Sequence, residues 1–143
     1  MSTRAGDLVV SLEMRKQLLA LGTLVTKAKG TILFRHGDPV LGLFLICKGK
    51  IRLALDSSSL VFPPRILGPD SVAGLPASVA GSPYSLTAEV VENAELLFVP
   101  RGALVNCLQQ NPEFCFEVMD ILSAEISGTR AALKHSSSRS HRD

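Results

Sequence analysis

The sequence has little of several features that mark specialised classes of protein. Its 143 residues include no Trp, one Tyr and three Cys, and aromatic residues make up 5% of the chain. Lys and Arg number 15 against 13 Asp and Glu, a formal net charge of +2, which is far from the basic composition of a dedicated nucleic-acid binder. The longest apolar run is Leu43–Cys47, well short of the ~18 residues that would indicate a membrane span.

The cysteines favour a reducing compartment. Cys47, Cys107 and Cys115 are odd in number, widely spaced and without a C-x-x-C motif, so we expect free thiols buried as small hydrophobic groups. The first fifteen residues carry charges of both signs and lack the pattern of a secretory signal. The sequence therefore predicts a cytoplasmic protein without a membrane segment.

What the chain does have is enough apolar residues for one core, arranged in two periodicities. Hydrophobic residues make up 46%, and the length is that of one ordinary domain. Helical spacing over 12–22, with Ser11 as N-cap and Gly22 as stop, predicts a short amphipathic helix. From 23 to about 100, short apolar runs alternate with turn residues, the spacing of an antiparallel sandwich or barrel. The predicted strands are Thr31–Phe34, Leu43–Cys47, Ile51–Leu55, Leu60–Phe62, Arg65–Leu67, Ser85–Val91 and Glu95–Val99.

Helical periodicity returns after Pro100. Gly102–Gln110 predicts one helix, and Glu113 to about Leu133 predicts a longer one. The longer helix carries an apolar stripe made by Phe114, Val118, Leu122 and Ile126, broadened by Met119 and Ile121. The Ser-rich segment 135–143 is expected to be a disordered tail. The predicted fold class is therefore mainly β with flanking helices.

Four motifs in order carry a resemblance to a known family. They are Gly30-Thr31-Ile32-Leu33-Phe34-Arg35-His36-Gly37-Asp38-Pro39, Leu43–Leu53, Leu67–Pro76 and Tyr84–Val90. Together they resemble the cyclic-nucleotide-binding domain, and within it the sensor half of the Crp/Fnr family of bacterial regulators. The resemblance covers residues 12–134. It implies a double-stranded β-helix, or jelly roll, with a β core over about 23–100 and a dimerisation helix over about 113–134. The dimer contacts are expected at Phe114, Val118, Ile121, Leu122 and Ile126.

The resemblance also places a ligand cassette on this chain. Family members that bind cyclic AMP typically supply Gly-Glu-Leu and then Arg-Ser/Thr-Ala, with the Glu on the ribose hydroxyl and the Arg on the phosphate. Here Gly74 is kept, but Leu75 stands at the Glu position and Tyr84 at the Arg position. Only the hydroxyl at Ser85 remains of the second motif. The candidate ligand-binding residues are Gly74, Leu75, Pro76, Tyr84, Ser85, Leu86 and Thr87.

Losing both charges argues against ordinary cyclic AMP binding. A buried phosphodiester needs a cation or several aligned N–H donors, and the nearest cations in sequence, Arg65 and Arg101, do not belong to the cassette motif. A pocket lined by Leu75, Val79, Tyr84 and Leu86 would favour a less charged effector. The alternative is that Tyr84 fills its own pocket.

Other chemistries find no support in the sequence. His36, His135 and His141 are too scattered to form a metal site, although His36 or Cys47 could in principle ligate a haem iron. No nucleophile elbow, P-loop or dinucleotide fingerprint occurs, so we expect no enzymatic activity. Too few residues follow Lys134 for a helix-turn-helix domain, so direct DNA binding is not expected.

The sequence thus predicts a homodimeric signal-transduction module of the kind found in transcription regulation. It would bind a cyclic nucleotide or another small effector, need no other cofactor, and signal to a protein partner through its C-terminal helix. Two alternatives stay open. One is a ligand-free dimerisation or interaction module, and the other is the sensor of a truncated transcriptional regulator.

Overall fold

The computed structural model describes residues 10–55 and 64–122. The predicted strand Leu60–Phe62, the end of the last helix with Ile126, and the tail 135–143 lie outside this range. The elements in chain order are α1 (Leu12–Leu21), β1 (Thr23–Lys27), β2 (Ile32–Phe34), β3 (Gly42–Ala54), β4 (Arg65–Leu67), β5 (Val72–Ala73), α2 (Leu75–Ala80), β6 (Thr87–Pro100), α3 (Arg101–Gln110) and α4, of which 112–122 are described. The prediction of a mainly β fold with flanking helices is confirmed.

Helix α1 begins and ends where its sequence predicts. The Ser11 side chain accepts a hydrogen bond from the Met14 N–H at 3.0 Å, which satisfies one of the free donors of the first turn. Gly22 ends the helix for a steric reason, since a Cβ atom there would lie 2.6 Å from the Phe98 carbonyl oxygen. The absence of a side chain thus lets the chain pass from α1 into the sheet.

The sheet is antiparallel and centred on two long strands. Its order is β1-β6-β3-β4, with β2 also paired to β6 and β5 to β3. The register of β3 against β6 shifts repeatedly between Ile46 and Ile51, and Gly49 lies at this point with φ +90°. A Cβ atom on Gly49 would lie 2.5 Å from the Asn93 carbonyl oxygen, so glycine permits the close approach.

These bulges explain why four predicted strands appear as two. Leu43–Cys47 and Ile51–Leu55 join in β3, and Ser85–Val91 and Glu95–Val99 join in β6, because pairing continues across each predicted turn. Each long strand provides two of the strands expected of the jelly roll. The prediction that a strand begins at Ser85 is wrong, since β6 begins at Thr87. Strands β1 and β5 and helix α2 were not predicted.

The core divides into two clusters, one on each side of the β layer. The helix-side core joins α1, α3 and α4 to the sheet and contains Met14, Leu18, Leu43, Leu75, Leu104, Phe114 and Val118. The roll core lies within the β structure and contains Phe34, Ile46, Ile51, Leu53, Tyr84, Val90 and Leu96. Within the two described ranges, no helix is both long and apolar enough to cross a membrane.

Candidate functional site

The cassette segment begins with a glycine held in the left-handed region. Gly74 has φ +87° and serves as the N-cap of α2, with Pro76 in the first turn. A Cβ atom on Gly74 would lie 3.1 Å from Cε1 of Tyr84 and 3.2 Å from the Gly42 carbonyl oxygen. The segment therefore packs directly against Tyr84, the residue that the resemblance places at the family's Arg position.

Tyr84 is buried and fully bonded. Its ring stacks on Phe34, with the ring centroids 3.8 Å apart and the planes inclined by 11°. Its hydroxyl donates to the Gly42 carbonyl oxygen at 2.6 Å and accepts from the N–H groups of Leu41 and Gly42, both at 3.2 Å. The ring therefore lies in the roll core, and the hydroxyl is hydrogen-bonded to the backbone at the start of β3.

Leu75 and Pro76 lie on opposite sides of this region. Leu75, predicted to line a pocket, is fully buried in the helix-side core, whereas Pro76 is exposed. Leu75 thus belongs to the same buried cluster as Met14 and Leu18 of α1 and Leu104 of α3. The helical twist of α2 separates the two residues, which sequence adjacency could not show.

The three residues after Tyr84 do not converge on one point. Ser85 is exposed, and Leu86 packs against the roll core. The Thr87 hydroxyl accepts a hydrogen bond from the backbone N–H of His36 at 3.0 Å. Because β6 begins at Thr87, the strand alternation that would align Ser85 with Thr87 does not apply.

Arg101 is the cation that the structure brings to the cassette. It is the first residue of α3, and a Cβ atom on Gly81 would lie 2.6 Å from its Nη2. Gly81 is the C-cap of α2, so the guanidinium lies at the far end of the cassette helix from Gly74. Gly81 and Arg101 are twenty residues apart in the sequence, and no sequence motif links them. They are adjacent in the structure because α2 packs on α3.

Polar contacts connect the sheet to α4 through α1. The backbone N–H and the hydroxyl of Ser11 donate to the Glu117 carboxylate at 3.0 and 2.7 Å. At the next turn of α1, Arg15 forms an ion pair with Asp70. Asp70 in turn donates its backbone N–H to the Ile46 carbonyl oxygen of β3. Helix α1 is thus bonded at one end to α4 and along one side to the β structure.

The described part of α4 turns its predicted dimer stripe inward. Phe114 and Val118 are 4% and 1% exposed and belong to the helix-side core, and Ile121 and Leu122 pack partly against it. Phe114 and Val118 are therefore not available to a second chain, which corrects the assignment of these two residues to a dimer face. The exposed apolar residues of α4 are Phe116 at 66% and Met119 at 54%. Ile126 lies outside the described residues.

The cysteines are free but less buried than predicted. Cys47, Cys107 and Cys115 are all partly exposed, and Cys47 and Cys107 pack against the helix-side core. Burial raises the pKa of Cys47, with the nearby Arg15 opposing the effect, and burial also raises the pKa of Cys107. Both thiols are therefore protonated at neutral pH. Over 10–55 and 64–122, no three His, Cys, Asp or Glu side chains come together as metal ligands.

The comparisons with known proteins agree with this fold. Residues 24–111, more than half of the chain, match the family model of the cyclic nucleotide-binding domain. The chain belongs to the cyclic nucleotide-binding domain family, and its predicted likeness to Crp/Fnr regulators is confirmed. It is 28% identical over 137 residues to the anaerobic regulatory protein of Bacillus subtilis, covering 94% of this chain and 58% of that protein.

Solved structures show the same fold. The catabolite activator protein of Thermus thermophilus superposes with a TM-score of 0.73 at 22% identity, over 89% of this chain and 60% of that one. The sensor domain of the transcriptional regulator DNR of Pseudomonas aeruginosa gives a TM-score of 0.64 at 21% identity, over 85% and 82%. The chain thus spans less than two thirds of the length of the Bacillus subtilis regulatory protein and of the Thermus thermophilus activator.

Proposed function

We propose that this chain is a regulatory sensor domain of the Crp/Fnr type whose cassette no longer supports ordinary cyclic-nucleotide binding. The observation that carries the proposal is the placement of Tyr84. Its ring stacks on Phe34 and its hydroxyl bonds to the backbone at Leu41 and Gly42. A residue held in this way supplies neither the positive charge nor the free space that a phosphodiester requires.

The magnitude of this loss decides the ligand class. A charge-assisted hydrogen bond is commonly worth ~1.5–3 kcal/mol, which corresponds to roughly ten- to a hundredfold in affinity. Leu75 removes the carboxylate that would bind the ribose hydroxyl, and it is fully buried. The effector of this domain is therefore a small molecule other than an ordinary cyclic mononucleotide. The proposed activity is regulatory and cytoplasmic, without catalysis.

The signal would travel through the contacts between α1 and α4. Ser11 bonds to Glu117 of α4, and Arg15 bonds to Asp70 beside β5. An effector that shifts the cassette and β5 would bias the position of α1 and, through it, of α4. A ligand can shift such an equilibrium only by its difference in affinity for the two arrangements. The response of α4 is therefore the readout that a protein partner would sense.

The exposed side of α4 supplies the dimer contact in this proposal. Phe116 and Met119 are three residues apart and lie on one helix face. The inward-facing Phe114 and Val118 support that face by fixing α4 on its own domain. Dimerisation would thus use the outer face of the same helix that responds to the effector.

A ligand-free interaction module is the second candidate, and the bonding of Tyr84 favours it. Each polar contact of the phenol is already made within the chain, so the pocket is closed without any ligand. In this case α4 would serve dimerisation or partner binding alone. The sensor of a longer transcriptional regulator is compatible with either candidate, because the curated relative is longer than this chain.

A ligand panel with a structural readout tests the proposal. Thermal shift of the full chain is measured with cyclic mononucleotides, cyclic dinucleotides and uncharged small metabolites. For each molecule that raises the Tm, hydrogen exchange of residues 112–122 is then compared with and without it. A sensor requires both a Tm increase and a change of exchange in α4. If no molecule in the panel gives both, the closed interaction module replaces the sensor.

A further inference from the structure

We infer that the junction of α2 and α3 holds a second binding site, one that takes a small oxyanion such as a phosphate or a carboxylate. The site is formed by Arg101, Ser78 and the N-terminus of α3. It lies at the end of α2 opposite Gly74, so it is distinct from the cassette position that Tyr84 fills.

The first observation is the Nε atom of Arg101, a buried donor without a hydrogen-bond partner among the described residues. Arg101 is half-buried, its Nε is buried, and that atom has no hydrogen-bond partner among the residues that the structure describes. No carboxylate in these residues forms an ion pair with Arg101. A buried charged donor left unpaired is costly, and a bound anion would remove that cost.

The second observation is the Ser78 hydroxyl, another buried polar group without a hydrogen-bond partner. Ser78 is 0% exposed, and its Oγ has no hydrogen-bond partner within residues 10–55 and 64–122. Ser78 lies one helical turn before Gly81, the residue against which the Arg101 guanidinium packs. An oxyanion between them would accept from both the hydroxyl and the guanidinium.

The third observation is the uncapped start of α3. Its N-cap is Pro100, which has no side chain able to accept a hydrogen bond, and its first turn contains no acidic residue. A Cβ atom on Gly102 would meet nothing within 4 Å, so space is open beside this first turn. The Arg101 N–H already donates to the Leu41 carbonyl oxygen at 2.9 Å, so the attraction for an anion comes from the remaining N–H groups of this first turn and from the helix dipole.

This oxyanion site goes beyond the proposed sensor function, and either proposal can be disproved without the other. The sensor is tested by the exchange of α4, whereas this site is tested by anion affinity alone. The competing explanation is that Arg101 only packs on Gly81 and stabilises the end of α2. In that case its replacement would change stability equally with and without an anion.

The test is a titration of the full chain with sodium phosphate, sodium acetate and sodium chloride at matched ionic strength, followed by thermal shift and calorimetry. We expect phosphate or acetate to raise the Tm with a saturable dependence in the millimolar range, and chloride to have no such effect. The comparison of phosphate with acetate shows which oxyanion the site prefers. No saturable effect of either oxyanion in the native chain would overturn the proposal.

Variants locate the site. We expect Arg101→Gln and Ser78→Ala each to weaken the oxyanion affinity roughly ten- to a hundredfold. The matched control is Arg52→Gln, which removes an Arg that is ion-paired with Glu89 at 3.9 Å on β3, and it should keep the native affinity. Because the Ser78 hydroxyl has no partner, Ser78→Ala should keep the native Tm without anion, so loss of folding cannot mimic loss of binding. Native oxyanion affinity in both site variants would contradict the assignment.

Discussion

The hydroxyl of Tyr84 donates a hydrogen bond of 2.6 Å to the carbonyl oxygen of Gly42. This bond joins Tyr84, three residues before β6, to the first residue of β3, and β3 and β6 are the two longest strands of the sheet. The resemblance places Tyr84 at the position where the family's cyclic-AMP-binding members carry the phosphate-binding Arg. In this chain the Tyr84 hydroxyl is bonded to the protein's own backbone.

Removing that hydroxyl should cost stability. In Tyr84→Phe the ring can still stack on Phe34, but the Gly42 carbonyl and the N–H groups of Leu41 and Gly42 lose a partner. An unsatisfied buried polar group costs about 1–3 kcal/mol, so we expect the free energy of unfolding to fall by that amount. Urea denaturation measures it. A change below about 0.5 kcal/mol would mean that the hydroxyl does not hold the cassette closed.

The contact between α1 and α4 should depend on Ser11. In Ser11→Ala the Met14 N–H loses its acceptor and Glu117 loses a donor, and loss of an N-cap typically costs about 0.5–2 kcal/mol. We also expect faster hydrogen exchange in residues 112–122. Ser85→Ala is the matched control, since Ser85 is exposed, and it should leave both quantities unchanged. Unaltered hydrogen exchange of residues 112–122 in Ser11→Ala would show that α1 does not transmit the signal to α4.

The two faces of α4 should respond differently to substitution. Phe116→Glu places a charge on an exposed apolar residue, so it should shift a dimer to a monomer in light scattering while the stability stays within about 0.5 kcal/mol. Phe114→Ala should instead destabilise the chain by about 3–5 kcal/mol, because it leaves a cavity in the helix-side core. An unchanged mass for Phe116→Glu together with a dimeric native chain would place the dimer contact elsewhere.

The raised pKa values of Cys47 and Cys107 predict a loss of stability at alkaline pH. Burial disfavours both thiolates in the folded state, so their pKa values exceed those of the unfolded chain. The folded state then holds these protons more tightly. The resulting contribution to the free energy of unfolding is fully present at pH values below the thiol pKa of the unfolded chain. It is lost as the pH rises through the folded pKa.

Urea denaturation across this alkaline range measures the effect. The Cys47→Ala and Cys107→Ala double variant is the control, and its stability should fall less steeply with pH than that of the native chain. Equal pH dependence in the two proteins would show that these thiols do not contribute.

Much of this fold follows from short-range sequence signals. Gly30, Gly37, Gly49 and Gly74 all have positive φ, as their turn positions predict, and Ser11 caps α1. Strand β1 escaped prediction because its two apolar residues, Leu24 and Val25, are adjacent and so do not alternate with polar ones along the sequence. Helix α2 is only Leu75–Ala80, too short for periodicity to show, and Pro76 in its first turn was the one available signal.

The site was harder to predict because its features depend on contacts between distant residues. The sequence placed Tyr84 at the Arg position, yet its stacking on Phe34 and bonding to Gly42 arise only when β2, β3 and the cassette meet. The periodicity of α4 predicted an apolar face at Phe114 and Val118, but not whether its own domain or a second chain covers it. Arg101 reaches Gly81 only through the packing of α2 on α3.

Calorimetric titration of the full chain with cyclic AMP and cyclic GMP is the most direct test of the central claim, that Tyr84 occupies the place of the phosphate-binding cation. With the phenol stacked on Phe34 and bonded to Gly42, we predict no saturable heat for either nucleotide at low micromolar concentration. Saturable binding of cyclic AMP in that range would contradict the account, because it would require the cassette to bind a phosphodiester without its Arg.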